Sequence, residues 1–204
     1  MLTDFIGVLN IIGVIVFSVS GALKGLKYNL DILGIVFLGI ITALGGGMMR
    51  DVLINVMPAA LINERDLYFA IVFSIVTYFA GKKIQNYSMV IKIFDAAGLA
   101  VFTVIGAEKG LSVHLGMLGV IIMGTLTGVA GGIISDLLVN EIPFVLKEEV
   151  YALFCISGAL FYWLFIGILK WNQNLVILGI ILFIFIGRVL AVRFNWHLPK
   201  RNIS

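Results

Sequence analysis

Seven apolar runs divide this sequence, and each ends at charged, glycine or asparagine residues. They lie near residues 5–23, 31–56, 66–81, 91–108, 114–140, 149–169 and 174–193. Several approach or exceed the roughly 18 to 20 residues that a helix needs to cross a hydrocarbon core about 30 Å thick. With 61% hydrophobic and only 12% charged residues, the chain is far more apolar than a soluble domain. The sequence therefore predicts an all-α membrane protein with seven transmembrane helices.

The few remaining signals argue against other classes of protein. The leading residues Met1-Leu2-Thr3-Asp4 carry no basic residue, and no small-residue cleavage site follows the first run, so a signal peptide is not expected. The single Cys155 cannot form an internal disulfide, and His114 and His197 lack the spacing of metal ligands. No catalytic or phosphate-binding motif is present. We expect no enzyme activity, no cofactor, no resident metal and no nucleic-acid partner.

The basic residues are divided unequally between the two sides of the predicted bundle. Arg50 falls inside a span and is set aside. The side that holds the N-terminus carries three, which are Arg65, Lys109 and Lys170. The opposite side carries ten, which are Lys24, Lys27, Lys82, Lys83, Lys92, Lys147, Arg188, Arg193, Lys200 and Arg201. Because positive loops stay in the cytoplasm, we expect a plasma-membrane protein with its N-terminus outside, its C-terminus inside and its basic residues beside lipid headgroups.

An internal repeat covers most of the chain. Shifted by 85 residues, Val16–Leu61 aligns with Val101–Leu146 without a gap, and 20 of the 46 positions are identical. Each copy covers three spans, and since three is odd, the second copy enters the membrane from the opposite side, as in many transporters. The predicted division is a first repeat at 1–88, a second, inverted repeat at 89–171, and a seventh helix with a cytoplasmic tail at 172–204.

Each copy carries a glycine cluster within its second span, at Thr42–Asp51 and Thr127–Asp136. Consecutive glycines lower the cost of leaving helical geometry, and irregular backbone survives in a membrane only against protein or a wet cavity. We therefore expect helices two and five to be broken at the glycines and to meet near the bilayer midplane, at a constriction or binding site. Close helix packing is the alternative, since membranes favour small residues at helix contacts.

Charged residues follow both glycine clusters. A carboxylate several positions inside a span is costly in lipid, so Asp51 and Asp136 point to a function or to a bonded partner. Arg50 precedes Asp51 and pairs either with it or across the repeat axis. Ser135 stands at the corresponding place in the second copy. Asp136 is therefore the better candidate for a carboxylate that faces water and a passing cation.

Two further pairs of residues correspond between the copies. Lys24 and Lys109 recur at span ends, where snorkelling to headgroups is the first interpretation and a gate or charge filter is the second. Phe17 and Phe102 form either an aromatic constriction or an ordinary core contact. The predicted ion pathway itself consists of residues from the two glycine segments, which are Thr42, Gly45, Gly46, Gly47, Arg50, Asp51, Thr127, Ala130, Gly131, Gly132, Ser135 and Asp136.

The two segments Gly45-Gly-Gly-Met-Met-Arg-Asp51 and Gly131-Gly-Ile-Ile-Ser-Asp136 resemble those of prokaryotic trimeric intracellular cation (TRIC) channels, a family also described as a two-repeat glycine-transporter domain. Two prolines that follow and two tyrosines that open the next spans add to the likeness, and these are Pro58, Pro143, Tyr68 and Tyr151. The resemblance implies a homotrimer with a pore in each protomer, bent at the glycines and permeable to monovalent cations, chiefly K⁺, with Na⁺ as the second candidate. Ala130 and Ser135 depart from the usual glycine and arginine, which puts a symmetric arginine gate in doubt.

Three functions remain open at this point. The first is a passive monovalent cation channel, which the paired glycines, the paired aspartates and the resemblance favour. The second is an alternating-access carrier of a small zwitterion such as glycine, because inverted repeats with broken helices suit it equally well. The third is a membrane scaffold without transport, in which the glycines only pack and the charges only form salt bridges.

Overall fold

A computed structural model describes residues 2–81, 84, 86–147 and 150–196 of the chain, and the side chains of residues 2–4 lie outside this description. Within these residues the secondary structure is helical, without a β-strand. The helices in chain order are α1 Leu2–Lys27, α2 Ile32–Leu53, α3 Ala59–Ile62, α4 Arg65–Ala80, α5 Tyr87–Ser112, α6 Met117–Leu138, α7 Phe144–Lys147, α8 Val150–Tyr162 and α9 Gln173–Phe194. A π-helix over Trp163–Ile168 extends α8.

Six helices of the described part are long and apolar enough to cross a membrane. They are α1, α2, α5, α6, α8 with its π-helical extension, and α9. The chain is thus a multi-pass membrane protein. Helix α4 has 16 residues, fewer than the roughly 20 that a spanning helix needs, so the predicted count of seven spans is not confirmed.

Spans two and five are shorter than predicted from the apolar runs. The runs also include apolar residues of the turns that follow each helix. Helices α2 and α6 have 22 residues each. Asn55 and Asn140, at corresponding positions just beyond them, have φ values of 55° and 58°. This left-handed conformation ends a helix, and asparagine adopts it more readily than most residues.

The predicted breaks at the glycines are wrong, because α2 and α6 run as continuous α-helices through both clusters. A Cβ placed on Gly46 would lie 2.2 Å from the carbonyl oxygen of Thr127, and one on Gly131 would lie 2.1 Å from that of Thr42. The glycines therefore let the two helices cross with their backbones in contact. Close packing, the alternative drawn from the sequence, describes these residues correctly.

Corresponding residues of the two copies make corresponding contacts. A Cβ on Gly21 would lie 2.4 Å from the hydroxyl oxygen of Thr42, and one on Gly106 would lie 2.4 Å from that of Thr127. Each threonine donates its hydroxyl to the carbonyl four residues earlier in its own helix, at 2.7 Å and 2.6 Å. Residues that correspond in the sequence repeat thus make matching local contacts.

Helix α9 has no counterpart in the repeat and packs against α5 and α8. Its buried Arg188 places a guanidinium 4.3 Å from the centre of the Tyr151 ring on α8. A Cβ on Gly158 of α8 would lie 2.5 Å from the side chain of Ile184. Small residues and a cation–π contact thus seat α9 beside the second copy.

Candidate functional site

Asp51 lies near the C-terminal end of α2 and is buried. Its Oδ1 accepts a hydrogen bond from Arg50 Nε at 2.9 Å and lies 2.8 Å from a terminal guanidinium nitrogen of the same residue. Its Oδ2 accepts a hydrogen bond from the backbone N–H of Ala59 at 2.9 Å. The neighbouring arginine therefore neutralises this carboxylate locally, and the backbone bond holds the start of α3 against the end of α2.

Asp136 occupies the corresponding place in α6. It repeats the contact with a backbone N–H, but its ion pair is not with the preceding residue. Its Oδ2 accepts a hydrogen bond from the N–H of Phe144 at 3.0 Å. Its Oδ1 lies 2.6 Å from Lys24 Nζ of α1, and the same ammonium donates to Ser135 Oγ at 2.7 Å. Ser135 has no positive charge to offer as Arg50 does, so Lys24, 112 positions earlier in the sequence, supplies it instead.

These contacts correct two expectations drawn from the sequence. Lys24 is only 5% exposed, so it does not snorkel to headgroups but extends inward to a carboxylate. Asp136 is buried and paired, so it does not face water. Lys109, the counterpart of Lys24, is half-buried and lies in the wall of a cavity with Glu108, Arg50 and Asp51.

Cavities of unequal size lie beside the two carboxylates. At the Asp51 end, defined by Arg50, Asp51, Ala59, Glu108 and Lys109, a cavity of about 320 Å³ adjoins one of about 40 Å³. At the Asp136 end, defined by Lys24, Tyr28, Ser135, Asp136 and Glu141, the cavity measures about 30 Å³. The cavities of one end share no lining residue with that of the other.

A hydrogen-bonded pair of side chains lines the cavity at the Asp136 end. The Tyr28 hydroxyl donates to the Glu141 carboxylate, and Lys147 Nζ lies 2.7 Å from the other oxygen of Glu141. The bonds from Lys147 and Tyr28 lower the pKa of Glu141 to about 2. Burial and the bond to Glu141 raise the pKa of Tyr28 to about 12. Valines, Val113 and Val56, stand at the corresponding positions of the Asp51 end.

The two predicted aromatic residues pack against each other. The rings of Phe17 and Phe102 lie 5.2 Å apart between their centres, and both are buried. A Cβ on Gly98 would lie 2.1 Å from the Phe17 ring, and one on Gly13 would lie 3.1 Å from the Phe102 ring. The core-contact interpretation describes Phe17, whereas Phe102 also lines the 40 Å³ cavity.

The predicted pathway residues lie at the helix crossing, at the two ends and beside them. Thr42, Gly46, Thr127 and Gly131 form the crossing of α2 and α6, where Gly45 and the buried Ala130 also lie. Arg50 and Asp51 lie at one end, and Ser135 and Asp136 lie at the other. Gly47 lines the 40 Å³ cavity. A Cβ on Gly132 would lie 3.6 Å from the Tyr151 hydroxyl and 3.7 Å from Asp95.

Sequence reasoning missed several polar residues that lie beside these places. Tyr28 and Glu141 stand in short turns outside the spans, where no periodic pattern marks them. Asp66 and Asn10 form a hydrogen bond at 2.6 Å beside Asp51. Asn10 was not missed, since a polar residue in the first span is a candidate for lining a path. Asp66 was missed because it stood at a predicted span boundary, where a charge is unremarkable.

Comparison with known sequences identifies close relatives of the chain. A family model described as glycine transporter matches residues 7–82 and 92–166. The UPF0126 membrane protein YvgT of Bacillus subtilis is 38% identical over 198 residues, which cover 95% of each chain. The UPF0126 membrane protein of Vibrio cholerae is 34% identical over 199 residues, which cover 97% of this chain and 83% of that protein.

Comparison with solved structures identifies the same fold. A prokaryotic TRIC channel crystallised in 0.5 M KCl is similar with a TM-score of 0.89 and 35% identity, over 96% of this chain and 100% of that one. The TRIC trimeric intracellular cation channel orthologue from Rhodobacter sphaeroides has a TM-score of 0.89 and 28% identity, over 94% of this chain and 99% of that one.

Proposed function

The chain belongs to the prokaryotic TRIC family, which the glycine-transporter model describes, and from this premise we propose that it is a channel for monovalent cations, potassium in particular. The pathway lies within each protomer, between α1, α2, α5 and α6. The observation that carries the proposal is the pair of buried carboxylates, Asp51 and Asp136, beside separate cavities on the two sides of the α2–α6 crossing.

The proposed architecture places these two ends on opposite sides of the membrane. Residues 1–88 and 89–171 are the two inverted repeats, 172–204 comprise the seventh helix and the tail, and α4 is the remaining span. Reciprocal contacts between α2 and α6 support this arrangement. A helix as short as α4 spans where the bilayer thins around it, at modest cost. The N-terminus faces outward, and the Asp136 end with its basic residues faces the cytoplasm.

The conformation described here is closed at the Asp136 end. The Lys24 ammonium lies 2.6 Å from Asp136, in the place that a passing cation would take beside the carboxylate. A potassium ion must shed water to pass a constriction, and an anionic oxygen replaces part of its hydration shell. Conduction therefore requires Lys24 to leave Asp136, after which the carboxylate attracts the ion that the lysine excluded.

Assembly follows that of the structural relatives. The Rhodobacter sphaeroides orthologue is described as trimeric, and we extend a homotrimer in the plasma membrane to this chain, with one pathway in each protomer. Many large apolar side chains on the surface of a single chain are exposed, Phe37, Phe79 and Leu175 among them. Lipid chains and neighbouring protomers would cover such a surface in a membrane.

Flux measurements in vesicles test the proposal. Purified protein in liposomes is expected to pass potassium down its gradient. The same vesicles should show no saturable uptake of labelled glycine. Asp136→Asn should lower this flux roughly tenfold, because it removes about 1.5 kcal/mol of interaction between the carboxylate and the ion. Glu64→Gln, which neutralises an exposed carboxylate, is the matched control and should leave the flux unchanged.

The same vesicles separate the other two functions. Saturable glycine uptake that supports counterflow, with no passive potassium flux, would make the protein a carrier. The absence of both fluxes from vesicles that contain correctly folded protein would make it a scaffold. Sodium, measured beside potassium, gives the selectivity between the two ions.

A further inference from the structure

The 40 Å³ cavity contains a second carboxylate that the proposed pathway does not use. Asp66, in the first turn of α4, lines this cavity together with Asp51 and is only 8% exposed. Its Oδ2 accepts a hydrogen bond from Asn10 Nδ2 at 2.6 Å. Its Oδ1 is buried and has no hydrogen-bond partner among the residues that the structure describes.

The neighbouring Arg65 does not satisfy this oxygen. Its Nε lies 3.7 Å from Asp66 Oδ1, beyond hydrogen-bonding distance. Its side chain is 48% exposed, and ion pairs with such exposed partners contribute little. A buried, charged oxygen without a hydrogen-bond partner is costly, and a bound water or ion commonly satisfies such an oxygen in a native protein.

The composition of the cavity wall indicates what kind of ligand it would accept. Among the lining residues, two carboxylates, Asp51 and Asp66, stand against one guanidinium, that of Arg50. Arg65 lies outside the lining with its side chain 48% exposed, so the wall itself keeps one negative charge in excess. The amide of Asn10 adds a further oxygen, and oxygen ligands of this kind suit hard cations. A divalent ion requires more anionic ligands and would meet the Arg50 charge at close quarters. The surplus of a single charge therefore matches a monovalent cation.

The cavity also has the necessary size and access. Its volume of about 40 Å³ exceeds the roughly 10 to 15 Å³ that a water molecule needs. It shares Arg50, Asp51 and Ala59 with the wider cavity of about 320 Å³. The two cavities thus adjoin at Arg50 and Asp51.

The second copy carries a positive charge in the corresponding region. Asp95 aligns with Asn10, and Tyr151 aligns with Tyr68 two residues after Asp66. The guanidinium of Arg188 lies 4.3 Å from the centre of the Tyr151 ring and interacts electrostatically with Asp95, so the protein itself supplies a cation for the carboxylate there. The counterpart of Asp66 lies outside the described residues.

We propose that the cavity at Asp66 binds one monovalent cation of about the size of potassium, with Asp66 Oδ1 as its principal ligand and Asn10 as a positioning residue. The inference rests on the proposed channel function, in which this position holds the ion beside Asp51. It makes the Asp51 end a binding site and the Asp136 end a closed gate.

Thallium(I), a heavy analogue of potassium, is the probe for this site. Crystals of the full chain in which Tl⁺ replaces K⁺ are expected to give an anomalous peak within the cavity, in contact with Asp66. The peak should persist in Glu64→Gln, the neighbouring exposed carboxylate, and disappear in Asp66→Asn. A wild type whose cavity holds only water, or a peak of equal height in Asp66→Asn, would overturn the proposal.

Thermal unfolding in detergent gives a second measurement that does not depend on crystals. Potassium, compared with choline at equal ionic strength, should raise the melting temperature, because a ligand that binds only the folded state stabilises it. Asp66→Asn should raise the potassium concentration that gives half of this shift at least tenfold. Should that variant fail to fold, Asn10→Ala retains the carboxylate and should weaken binding by a smaller factor, and an unchanged concentration would count against the site.

The binding and flux measurements distinguish two kinds of failure. A wild type that binds Tl⁺ at Asp66 but carries no potassium flux would reject the channel and leave the cation site standing. A wild type that conducts potassium without a Tl⁺ peak or a potassium-dependent melting shift would reject the cation site and leave the channel standing.

Discussion

Asp51 and Asp136 hold corresponding positions in the two copies, yet they are neutralised in different ways. Arg50 pairs with Asp51 from the adjacent position of the same helix. Lys24 reaches Asp136 from another helix, 112 positions away. Both carboxylates keep the bond to a backbone N–H eight residues later. The repeat has thus retained the acid and its backbone contact, whereas the source of the compensating cation differs between the copies.

This difference gives the two ends separate properties. A local arginine leaves the Asp51 end beside a wide cavity of about 320 Å³. A lysine from α1, together with the Tyr28–Glu141 pair, leaves only about 30 Å³ at the Asp136 end. Because Lys24 must come from another helix, a shift of α1 relative to α6 separates this ion pair, whereas the Arg50–Asp51 pair moves with α2 as one unit.

The contact between the copies is the feature that they share most closely, and its disruption has the largest expected effect. Gly46→Ala and Gly131→Ala each place a Cβ about 2 Å from a backbone carbonyl oxygen and should destabilise the protein by about 3 kcal/mol through overpacking. Thermal unfolding in detergent measures the loss. Gly179→Ala, where no atom lies within 4 Å, is the control, and equal stability of all three variants would contradict the described crossing.

Removal of the Lys24 charge should produce the next largest change. Lys24→Gln vacates the place beside Asp136 and should raise potassium flux roughly fivefold, which corresponds to about 1 kcal/mol on the barrier. Liposome flux assays measure the change. Lys109→Gln, at the corresponding position of the other copy, should change the flux less, because Lys109 is half-buried in a cavity wall. Equal effects of the two variants would remove the distinction between the ends.

Moving the basic side chain from position 24 to position 135, directly before Asp136, should make the Asp136 end resemble the Asp51 end. The double variant Lys24→Gln/Ser135→Arg places an arginine directly before Asp136, as Arg50 stands before Asp51. Its potassium flux is expected to return to within about twofold of the wild type, the effect of roughly 0.4 kcal/mol on the barrier. A flux as high as that of Lys24→Gln alone would show that the arginine does not take over the pairing.

The Tyr28–Glu141 pair should produce the smallest change, and its pH dependence has a defined sign. Because the pKa of Glu141 falls from 4.5 to about 2 on folding, its contribution to stability is complete above pH 4.5 and is lost as the pH falls towards 2. The pKa of Tyr28 rises from 10.0 to about 12, so its contribution is complete below pH 10 and is lost as the pH rises towards 12.

Thermal unfolding of Tyr28→Phe across this pH range tests the pair. The variant should be less stable than the wild type between pH 4.5 and 10, with a difference that shrinks outside this window. Tyr68→Phe removes an exposed tyrosine–glutamate bond and serves as the control. A difference that stays constant from pH 2 to pH 12 would show that Tyr28 and Glu141 are not coupled.

The membrane class, the family and the correspondence of Asp51 with Asp136 were predictable, because they depend on composition, on motifs and on an ungapped repeat. Whether the glycines break the helices or pack them closely was not predictable, since flexibility and close packing favour the same residue. Neither was the bond between Lys24 and Asp136, because both residues resemble ordinary charges at span ends until the packing of α1 on α6 is known. The orphan oxygen of Asp66 becomes apparent only when its neighbours are placed.

The most direct test is a double-mutant cycle on potassium current across planar bilayers, with Lys24→Gln, Asp136→Asn and the combination of both. If Lys24 excludes cations by occupying Asp136, the first variant should raise the current and the second should lower it. The combination should then show no gain over Asp136→Asn, because the gain requires the carboxylate. A gain from Lys24→Gln that persists in full without Asp136 would contradict this account.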